Sequence, residues 1–586
     1  MATYRVPQRE MRFILNDVLN YEQLNALPRF EDATPDIVDG VIDEASRFTA
    51  EKLLPLRTSA DSQGCKLADG VVTVPDGFAD AYREYWESGW VGLANDAEWG
   101  GQGLPYMLSK VVDEMVCSAN VAFALYPGLT IGCFEALNAH ANDEIKQTYL
   151  SKLATGEWTG TMCLTEPQAG SDLGAVKTKA EKQADGTYRI SGMKIFITSG
   201  EHEMADNIVH YVLARCSDSP DGVKGLSTFV VPKYHVNADG SLGERNGVKC
   251  QAIEHKMGIH GSCTCVMVFE DAVGYLVGEQ NRGIMNMFTM MNLARIMVGF
   301  QGLGQAELAL QSAVAYAQDR VQGKTLTGGN GPIADHPDVR RMLMKMKALT
   351  EGARAMAYDI ALHVDLSHGA EDEAVRTAAS DWVELFTPLV KAFCTDLGVE
   401  NGLEAIQVFG GHGFIAEHGV EQIVRDAKIL CLYEGTNGIQ AMDLVRRKLQ
   451  LKGGAMAELF FQRTDAAVAD ASADYAFLSQ PLAEALQALK ASTQAMRESF
   501  NTDPNFAGAG AVEFQRAFAL TALGYYWLRM LAAAEGHPDA DFRAAKLATA
   551  RFFARRILPE VKGLLDRVAA GADDMMELSL DALAAA

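Results

Sequence analysis

The sequence has little of several features that mark broad classes of protein. Among its 586 residues there are only 10 cysteines, and the one close pair is Cys263 and Cys265, so we predict neither a disulfide framework nor a thiolate metal site. Basic residues are in deficit, since 52 Lys and Arg stand against 76 Asp and Glu. The resulting net charge of −24 argues against nucleic acid or an anionic membrane as the main partner. The first twelve residues include Arg5, Arg9, Glu10 and Arg12 and contain no apolar run, so we expect no signal peptide and a cytoplasmic location.

Three familiar motifs also fail, each for a definite reason. Gly323–Thr325 resembles the end of a P-loop, but Gln318 stands where the first glycine belongs. His202-Glu203 resembles the start of a metalloprotease motif, but Asp206 stands where the second histidine belongs. No Gly-x-Gly-x-x-Gly lies between a predicted strand and a predicted helix, so a Rossmann dinucleotide site is not expected.

The distribution of apolar residues predicts helical regions on both sides of a β region. Helical spacing covers most of 1–160, 283–452 and 453–586, whereas short β-branched and aromatic segments between turns cover 161–282. We therefore expect an α+β multidomain fold with an N-terminal helical domain, a β-barrel domain, a helical bundle and an additional C-terminal helical domain. The longest uncharged run, Met115–Phe134, is interrupted by Pro127, so we interpret it as a buried helix and turn and not as a membrane span.

Two segments carry polar groups and glycines suited to binding a ligand. Cys163–Gly174 combines Thr165, Gly170 and Ser171, whose hydroxyl and backbone N–H donors suit a polar cofactor edge or a phosphate. On local grounds an ordinary turn is the simpler interpretation of this segment. Gln407–Phe414 holds three glycines that permit close approach of the backbone to a ligand, and a helix C-cap followed by a turn explains it equally well.

A third segment, Leu432–Gln440, contains a single carboxylate. Asn437 and Gln440 have the spacing of a capping box, so a helix should begin there and run to about residue 451. Glu434 then lies in the loop before that helix, directly after the apolar run Ile429–Tyr433. Apolar surroundings raise the pKa of a carboxyl group toward the range useful for a general base. The simpler alternative is an exposed loop glutamate.

Together the three segments resemble the signatures of the acyl-CoA dehydrogenase family. The 163–174 segment matches the first signature throughout, and the glycine segment continues its match through Glu417 and Arg425. The second match departs at Gly419, where Pro is usual, and at Gln422, where Lys or Arg is usual. The resemblance covers about residues 40–450, and the order of its domains is the α–β–α order read from the sequence.

The resemblance implies noncovalently bound FAD, whose isoalloxazine lies between the β domain and the helical domain that follows. It assigns contacts with this cofactor to Thr165, Ser171, Phe196, Thr198 and Thr436. It assigns contacts with the FAD of a neighbouring subunit to Arg320, Gln407 and Gly411, so a homodimer is expected. Phe196 stands where many members have Trp, and Gly438 stands where a Gln contact is common.

Glu434 matches the catalytic base of most family members. A minority place the base immediately before an arginine that matches Arg295, and that position is Ala294 here, which cannot accept a proton. The resemblance also implies that Asn292, Arg295 and Tyr433 line the substrate side. In the implied α,β-dehydrogenation, Glu434 takes the α-proton of an acyl-CoA while a hydride leaves the β-carbon for the flavin. The thioester carbonyl is bound by the backbone N–H of the base and by an FAD ribityl hydroxyl.

The whole chain, including Tyr4–Phe13 and the C-terminal extension, is most similar to members that convert 3-(methylthio)propanoyl-CoA to 3-(methylthio)acryloyl-CoA in dimethylsulfoniopropionate breakdown. Electron-transfer flavoprotein is the implied electron acceptor. Three alternatives remain open: a general short- or medium-chain acyl-CoA dehydrogenase, an acyl-CoA oxidase, and a DNA-associated flavoprotein. The net charge of −24 is unsuited to the last of these.

Overall fold

The structure, a computed structural model, describes residues 2–326 and 328–584. Over these residues the chain is mostly helical. The helices are α1 (Gln8–Arg12), α2 (Glu22–Asn25), α3 (Pro35–Phe48), α4 (Leu56–Gln63), α5 (Phe78–Glu87), α6 (Tyr106–His140), α7 (Asp143–Thr155), α8 (Gly283–Asp319), α9 (Pro337–Gly369), α10 (Glu373–Phe409), α11 (Glu421–Lys428), α12 (Asn437–Asp443), α13 (Ala455–Ala469), α14 (Ala476–Thr502), α15 (Pro504–Ala534), α16 (Ala540–Phe552), α17 (Glu560–Ala570), α18 (Asp573–Glu577) and α19 (Leu580–Ala584).

The strands lie almost entirely within the predicted β region. They are β1 (Lys66–Ala68), β2 (Val71–Thr73), β3 (Thr159–Cys163), β4 (Lys179–Lys182), β5 (Tyr188–Thr198), β6 (Ile208–Cys216), β7 (Leu226–Pro232), β8 (Tyr234–Val236), β9 (Leu242–Arg245), β10 (Val248–Ile253) and β11 (Thr264–Val277). The main sheet has the order β10-β11-β5-β4-β6-β3, and β7 pairs with both β11 and β6. This double pairing closes β11, β5, β4, β6 and β7 into a ring, which confirms the predicted small barrel.

The chain divides into two compact units. One contains residues 43–297, and the other contains residues 1–42 and 298–586. The four-part division predicted from the sequence is finer than this, and its boundaries stay predictions. In the 43–297 unit a buried cluster including Leu137, Leu153, Tyr211 and Val230 joins α6 and α7 to the strands of the barrel. Burial of these large apolar side chains is the main favourable contribution to folding there.

α6 spans the longest uncharged stretch and contains one break. It continues past Pro127, and inside the helix the backbone leaves helical values at Asn120, where φ is −160° and ψ is 89°. The Asn120 side chain caps this break, because its Oδ1 accepts a hydrogen bond from the Phe123 N–H at 3.2 Å. The interruption of Met115–Phe134 lies at Asn120, whereas the helix continues through Pro127 where the turn is expected, and the burial predicted for this segment is confirmed.

Buried polar contacts join the C-terminal helices to the rest of the second unit. Asp359 of α9 accepts hydrogen bonds from the Trp382 indole of α10 at 2.8 Å and from the Tyr526 hydroxyl of α15 at 2.7 Å. Lys546 of α16 pairs with Glu351 of α9 at 2.9 Å. Buried charges are tolerated only when they are paired and hydrogen-bonded, so these contacts fix how the C-terminal helices pack on α9 and α10.

Three further observations concern the broad class of protein: its long apolar helices, its cysteines and its possible metal ligands. Among the described residues, α6 and α15 are long and apolar enough to cross a membrane, but their most apolar windows are 94% and 83% buried inside the protein, as in core helices. All ten cysteines lie in this part of the chain and none is in a disulfide; nine are buried and Cys65 is half-buried. Nowhere in 2–326 or 328–584 do three or more His, Cys, Asp or Glu side chains gather so that they could hold a metal ion.

Candidate active site

The 163–174 loop is fixed to β5 by a buried ion pair. Lys194 Nζ donates hydrogen bonds to the Glu166 carboxylate and to the Leu164 carbonyl, both at 2.9 Å. Glu166 also accepts a hydrogen bond from the Thr178 hydroxyl at 2.6 Å. Burial alone would raise the pKa of Glu166, but Lys194 and these hydrogen bonds lower it to about 2, so the carboxylate is ionised at neutral pH. The conformation of the loop is therefore set by its attachment to β5.

Four residues predicted to contact the flavin lie on this loop and on the adjoining end of β5. Thr165 accepts a backbone hydrogen bond from the Ile195 N–H at 2.9 Å, which holds it beside the chain that carries Phe196 and Thr198. Phe196 has a φ of +59° and is 60% exposed, and Ser199 has a φ of +56°. A positive φ outside glycine costs about 1–3 kcal/mol and is typical of functional sites. The strained backbone and the exposed aromatic ring are both features that suit the predicted flavin contact.

These residues also keep polar groups that no other described residue binds. The side-chain hydroxyls of Thr165, Ser171 and Thr198 have no hydrogen-bond partner in the described parts of the chain. Thr165 and Thr198 are half-buried, and Ser171 is exposed. A Cβ atom added at Gly170 would meet nothing within 4 Å, so the backbone there is open to a ligand. Unused hydroxyl donors around an exposed aromatic ring fit the polar edge of a flavin and a phosphate, the groups that FAD presents.

Residues 432–436, called the glutamate loop below, precede α12 and have an unusual backbone. Glu434 and Gly435 both have positive φ, +55° and +84°. The Glu434 carbonyl accepts a hydrogen bond from Gln440 Nε2 at 2.9 Å, and the Gly435 carbonyl accepts one from Lys391 Nζ at 2.8 Å. Glu434 itself is half-buried. The loop thus presents a carboxylate on a strained backbone that side chains of two helices hold in place.

The start of α12 differs from the predicted capping box. The N-cap is Thr436, whose hydroxyl oxygen accepts the Ile439 N–H at 3.2 Å. Asn437 is the first helical residue, and its amide donates to Asp396 of α10 at 2.8 Å. The predicted cap at Asn437 is therefore wrong, because contacts with α10 occupy its side chain. Thr436, a predicted cofactor contact, is exposed and keeps its hydroxyl hydrogen as a donor.

Residues 410–414, called the glycine turn below, follow α10 and pack against the end of α8. Tyr316 of α8 stacks on Phe409 with 4.0 Å between ring centroids, and its hydroxyl lies 2.8 Å from His412 Nδ1. Three exposed residues near this end are those predicted to reach a neighbouring subunit: Arg320, Gln407 and Gly411. The Arg320 guanidinium pairs with no carboxylate of the described residues, and a Cβ atom at Gly411 would meet nothing within 4 Å. An unpaired guanidinium beside open backbone suits a phosphate-bearing ligand.

The glutamate loop and the glycine turn contact α8 at different positions along its length. The Tyr433 hydroxyl donates to Gln301 at the middle of α8, whereas His412 contacts Tyr316 near the end of the helix. About 15 residues of helix lie between these contacts, which corresponds to roughly 22 Å. The glutamate loop and the glycine turn therefore lie at separate positions along α8. This arrangement is compatible with the prediction that the glycine turn serves the cofactor of another subunit.

The residues predicted on the substrate side occupy two elements. Tyr433 lies in the glutamate loop and is half-buried. Asn292 and Arg295 lie on α8 within the 43–297 unit, where Asn292 is half-buried and Arg295 is buried with its guanidinium carbon 5.9 Å from the centre of the Phe288 ring. Ala294 is buried, so the alternative base position of the family holds only a methyl group.

Sequence reasoning missed Lys391 and misassigned the partner of Gln440. Lys391 lies in α10 with Val390 and Ala392 on either side, is fully buried, and donates to Asn437 Oδ1 at 2.9 Å as well as to the glutamate loop. A single lysine among apolar residues of a long core helix signals a buried ammonium that must find acceptors. That signal was present in the sequence, but the identity of the acceptors depends on how α10 packs against the loop.

Family models match the chain in succession from residue 39 to residue 579. They are described as Acyl-CoA dehydrogenase, N-terminal domain (39–157), middle domain (161–272) and C-terminal domain (281–449), followed by Acetyl-CoA dehydrogenase C-terminal like (460–579). The chain is also 43% identical to 3-methylmercaptopropionyl-CoA dehydrogenase of Ruegeria pomeroyi, over 99% of this chain and 100% of that protein. The chain belongs to the acyl-CoA dehydrogenase family. It is therefore an oxidoreductase.

Two other similarities extend this finding. The chain is 34% identical to a butyryl-CoA dehydrogenase of Syntrophomonas wolfei over 96% of each protein. Its structure resembles an acyl-CoA dehydrogenase complexed with FAD from Bacillus anthracis, with a TM-score of 0.77, 23% identity, and coverage of 98% of this chain and 94% of that one. At that identity the likeness concerns the fold alone. It confirms an acyl-CoA dehydrogenase fold with the additional C-terminal helical domain.

Proposed function

We propose that the protein is an FAD-dependent dehydrogenase that converts 3-(methylthio)propanoyl-CoA to 3-(methylthio)acryloyl-CoA. The observation that carries this proposal is the 43% identity over 99% of the chain to the Ruegeria pomeroyi enzyme, which is named for this thioester. Coverage of 99% of the chain means that the similarity extends into the C-terminal helices, which lie outside the catalytic region.

Glu434 is the proposed catalytic base. Its carboxylate takes the proton from the α-carbon of the thioester, whose acidity increases when hydrogen bonds stabilise the developing negative charge on the thioester oxygen. FAD, when bound, supplies the two-electron acceptor for the hydride that leaves the β-carbon. A base must be held within hydrogen-bond reach of the proton that it removes, so the clamped backbone of the glutamate loop supports this role. Ala294 provides no second acceptor.

Two sets of donors are proposed to bind FAD. The first serves the subunit's own cofactor and consists of the hydroxyls of Thr165, Ser171 and Thr198 in the segments around Phe196. The family resemblance assigns Thr436 to the same cofactor. The second serves the cofactor of a neighbouring subunit and consists of Arg320, Gln407 and the open backbone at Gly411. Within the part of the chain that the structure describes, the side chains of Thr165, Ser171, Thr198 and Arg320 have no partner. This supports both assignments, because groups reserved for a ligand gain their hydrogen bonds only when it binds.

A homodimer is part of the proposal. Apolar side chains close in sequence to Arg320 and to the glycine turn are solvated: Val321 is 56%, Phe414 is 83% and Ile415 is 46% exposed. Exposed apolar groups beside an unpaired cation suit contact with a second copy of the chain. Light scattering of the FAD-loaded protein should give about twice the monomer mass of 63.4 kDa. A flavin-loaded monomer would contradict the shared cofactor site.

The remaining assignments concern the setting of the reaction. Electron-transfer flavoprotein is the proposed electron acceptor, and the cytoplasm is the proposed location. The proposed domains are 1–160, 161–282, 283–452 and 453–586. Stopped-flow reoxidation of the reduced enzyme in air separates this proposal from an acyl-CoA oxidase, because a dehydrogenase should reoxidise slowly until the electron-transfer flavoprotein is added.

Substrate preference is the most direct test of the specific proposal. The 34% identity to butyryl-CoA dehydrogenase favours a second candidate, a general short-chain enzyme. A sulfur at the γ position is nearly isosteric with a methylene group, and a chain shorter by one atom loses only modest binding energy, so we expect pentanoyl-CoA and butyryl-CoA to be used as well. With an artificial electron acceptor, kcat/KM should be highest for 3-(methylthio)propanoyl-CoA. A higher value for butyryl-CoA favours the general enzyme, and a highest value for palmitoyl-CoA excludes both.

A further inference from the structure

The glutamate loop is held at two successive carbonyl groups. Gln440 Nε2 binds the Glu434 carbonyl at 2.9 Å, and Lys391 Nζ binds the Gly435 carbonyl at 2.8 Å. These carbonyls belong to the two peptide units that follow Glu434, so the donors fix ψ at both positive-φ residues. The direction of the Glu434 side chain depends on this backbone conformation, because Cβ is attached to the same Cα.

Both donors are fully buried, which distinguishes them from ordinary loop contacts. An ammonium group is costly to bury unless acceptors surround it, so the acceptors of Lys391 determine where it can lie. Besides the loop carbonyl, Lys391 binds Asn437 Oδ1 at 2.9 Å. The Asn437 amide donates in turn to the hydroxyl of Thr395, which lies on α10 with Lys391, at 3.0 Å. These contacts fix the position of the loop relative to α10, a helix of 37 residues in the core of its unit.

Gln440 fits the loop closely. A Cβ atom at Gly435 would lie only 2.8 Å from Gln440 Nε2, so the amide occupies the space that a side chain would need. Its Oε1 atom is buried and accepts no hydrogen bond from any residue of 2–326 or 328–584. Leaving a buried acceptor unsatisfied is unfavourable, and an apolar side chain of the same size would avoid it. What the Gln440 amide contributes, in place of an apolar side chain, is its hydrogen bond to the Glu434 carbonyl.

We propose that Lys391 and Gln440 are positioning residues for the catalytic base. They hold Glu434 in its left-handed conformation and so set the direction of its carboxylate toward the α-carbon of the thioester. Neither residue contacts the substrate in this proposal, and both act through Glu434. The inference rests on the proposed function, because it takes Glu434 as the base.

The test uses variants that remove one donor and keep the size of the side chain. Gln440→Met and Lys391→Met should each lower the rate of flavin reduction at saturating thioester by about 10–100-fold, since a displacement of about 1 Å can cost 10²-fold. KM should change little, because the binding surface for the substrate is intact. Lys391→Arg, which keeps a cationic donor, should recover part of the rate. A merely structural role predicts neither this split between kcat and KM nor the partial recovery.

Gln515→Met is the matched control. Gln515 is buried in the same unit and donates to the Pro388 carbonyl of α10 at 3.0 Å, so its hydrogen bond does not involve the glutamate loop. It should lower Tm about as much as Gln440→Met and leave the reduction rate unchanged. Wild-type rates in the FAD-loaded Gln440→Met variant overturn the proposal, and so does an equal loss of rate in Gln515→Met. If Lys391→Met does not retain FAD, the comparison of the reduction rates of Gln440→Met and Gln515→Met tests the positioning role.

Failure of the proposed function gives a different result. In that case no short acyl-CoA reduces the flavin of the wild-type protein, and Glu434→Gln behaves like wild type. If the wild-type flavin is reduced and Glu434→Gln is inactive, the proposed function stands, and the Gln440 and Lys391 variants test the positioning role alone.

Discussion

The glutamate loop and the glycine turn are two irregular segments of one compact unit, and they differ in whether their polar groups are bound by the protein itself. In the glutamate loop, buried donors from Lys391 and Gln440 occupy the carbonyls and hold Glu434 at a φ of +55°. Near the glycine turn, the Arg320 guanidinium pairs with no carboxylate of residues 2–326 or 328–584, and the backbone at Gly411 is open. The difference indicates two tasks. A base that removes a proton must be fixed within tenths of an ångström before the substrate arrives, whereas a ligand-binding surface keeps its donors unused until the ligand arrives.

The largest effect should follow from removing the carboxylate in the glutamate loop. Glu434→Gln keeps the shape and hydrogen-bonding capacity of the side chain but cannot accept the α-proton. Flavin reduction by an acyl-CoA under anaerobic conditions should slow by about 10²–10⁴-fold, while FAD remains bound. Glu417→Gln, an exposed glutamate that follows the glycine turn, is the control and should keep the wild-type rate. Near-wild-type reduction by Glu434→Gln would remove the distinction between the two segments.

A smaller effect, of a different kind, should follow from changing the cation near the glycine turn. Arg320→Ala removes a guanidinium that we propose to bind a phosphate of FAD. Hydrogen bonds to charged groups contribute about 1.5–3 kcal/mol, so FAD affinity should fall by about 10–150-fold. Titration of the apoprotein followed by flavin fluorescence measures this loss. The reduction rate at saturating FAD should stay normal, and a lowered rate with unchanged affinity would reverse the assignments of the two segments.

Two glycines of the turn separate local packing from ligand approach. A Cβ atom at Gly413 would lie 2.5 Å from the Ile406 carbonyl oxygen, so Gly413→Ala must shift the backbone and should destabilise the protein by about 1–3 kcal/mol. Gly411→Ala meets no atom within 4 Å, so the apoprotein should keep its stability within about 0.5 kcal/mol. We expect Gly411→Ala to weaken only FAD binding. Equal losses of Tm in the two apoproteins would show that Gly411 has a packing role instead.

The smallest effect concerns Asp396, which supports the glutamate loop through Asn437. Burial raises the pKa of Asp396 above its ordinary value of 3.8, although the hydrogen bond from Asn437 opposes the shift. Because ionisation is then harder in the folded state, the free energy of unfolding should fall as pH rises above 3.8 and level off above the raised pKa. Asp396→Asn keeps an acceptor and removes the charge. Its stability should exceed that of wild type at neutral pH, and the gain should shrink as pH falls toward 4. Denaturant unfolding at several pH values measures it, and a pH-independent difference would contradict this account.

Much of the fold could be predicted because its signals are local. Strand and helix spacing placed the barrel and the helical regions, and the signatures selected Thr165 and Glu434 by sequence alone. The features that could not be predicted depend on tertiary contacts. Lys391 binds a carbonyl 44 residues away, so only the packing of α10 reveals its partner. The N-cap of α12 is Thr436 and not Asn437 because α10 binds the Asn437 amide. The left-handed backbone of Glu434 likewise follows from donors outside its own segment.

The central claim is that this chain oxidises a short thioester with Glu434 as the base, and one anaerobic experiment tests it most directly. FAD-loaded wild-type protein and Glu434→Gln are each mixed with 3-(methylthio)propanoyl-CoA while the flavin absorbance is followed, and the thioester is analysed afterwards by mass spectrometry. We expect rapid bleaching and formation of 3-(methylthio)acryloyl-CoA, which is two mass units lighter, with wild type only. An unbleached wild-type flavin, or equal bleaching of both proteins, would contradict the claim.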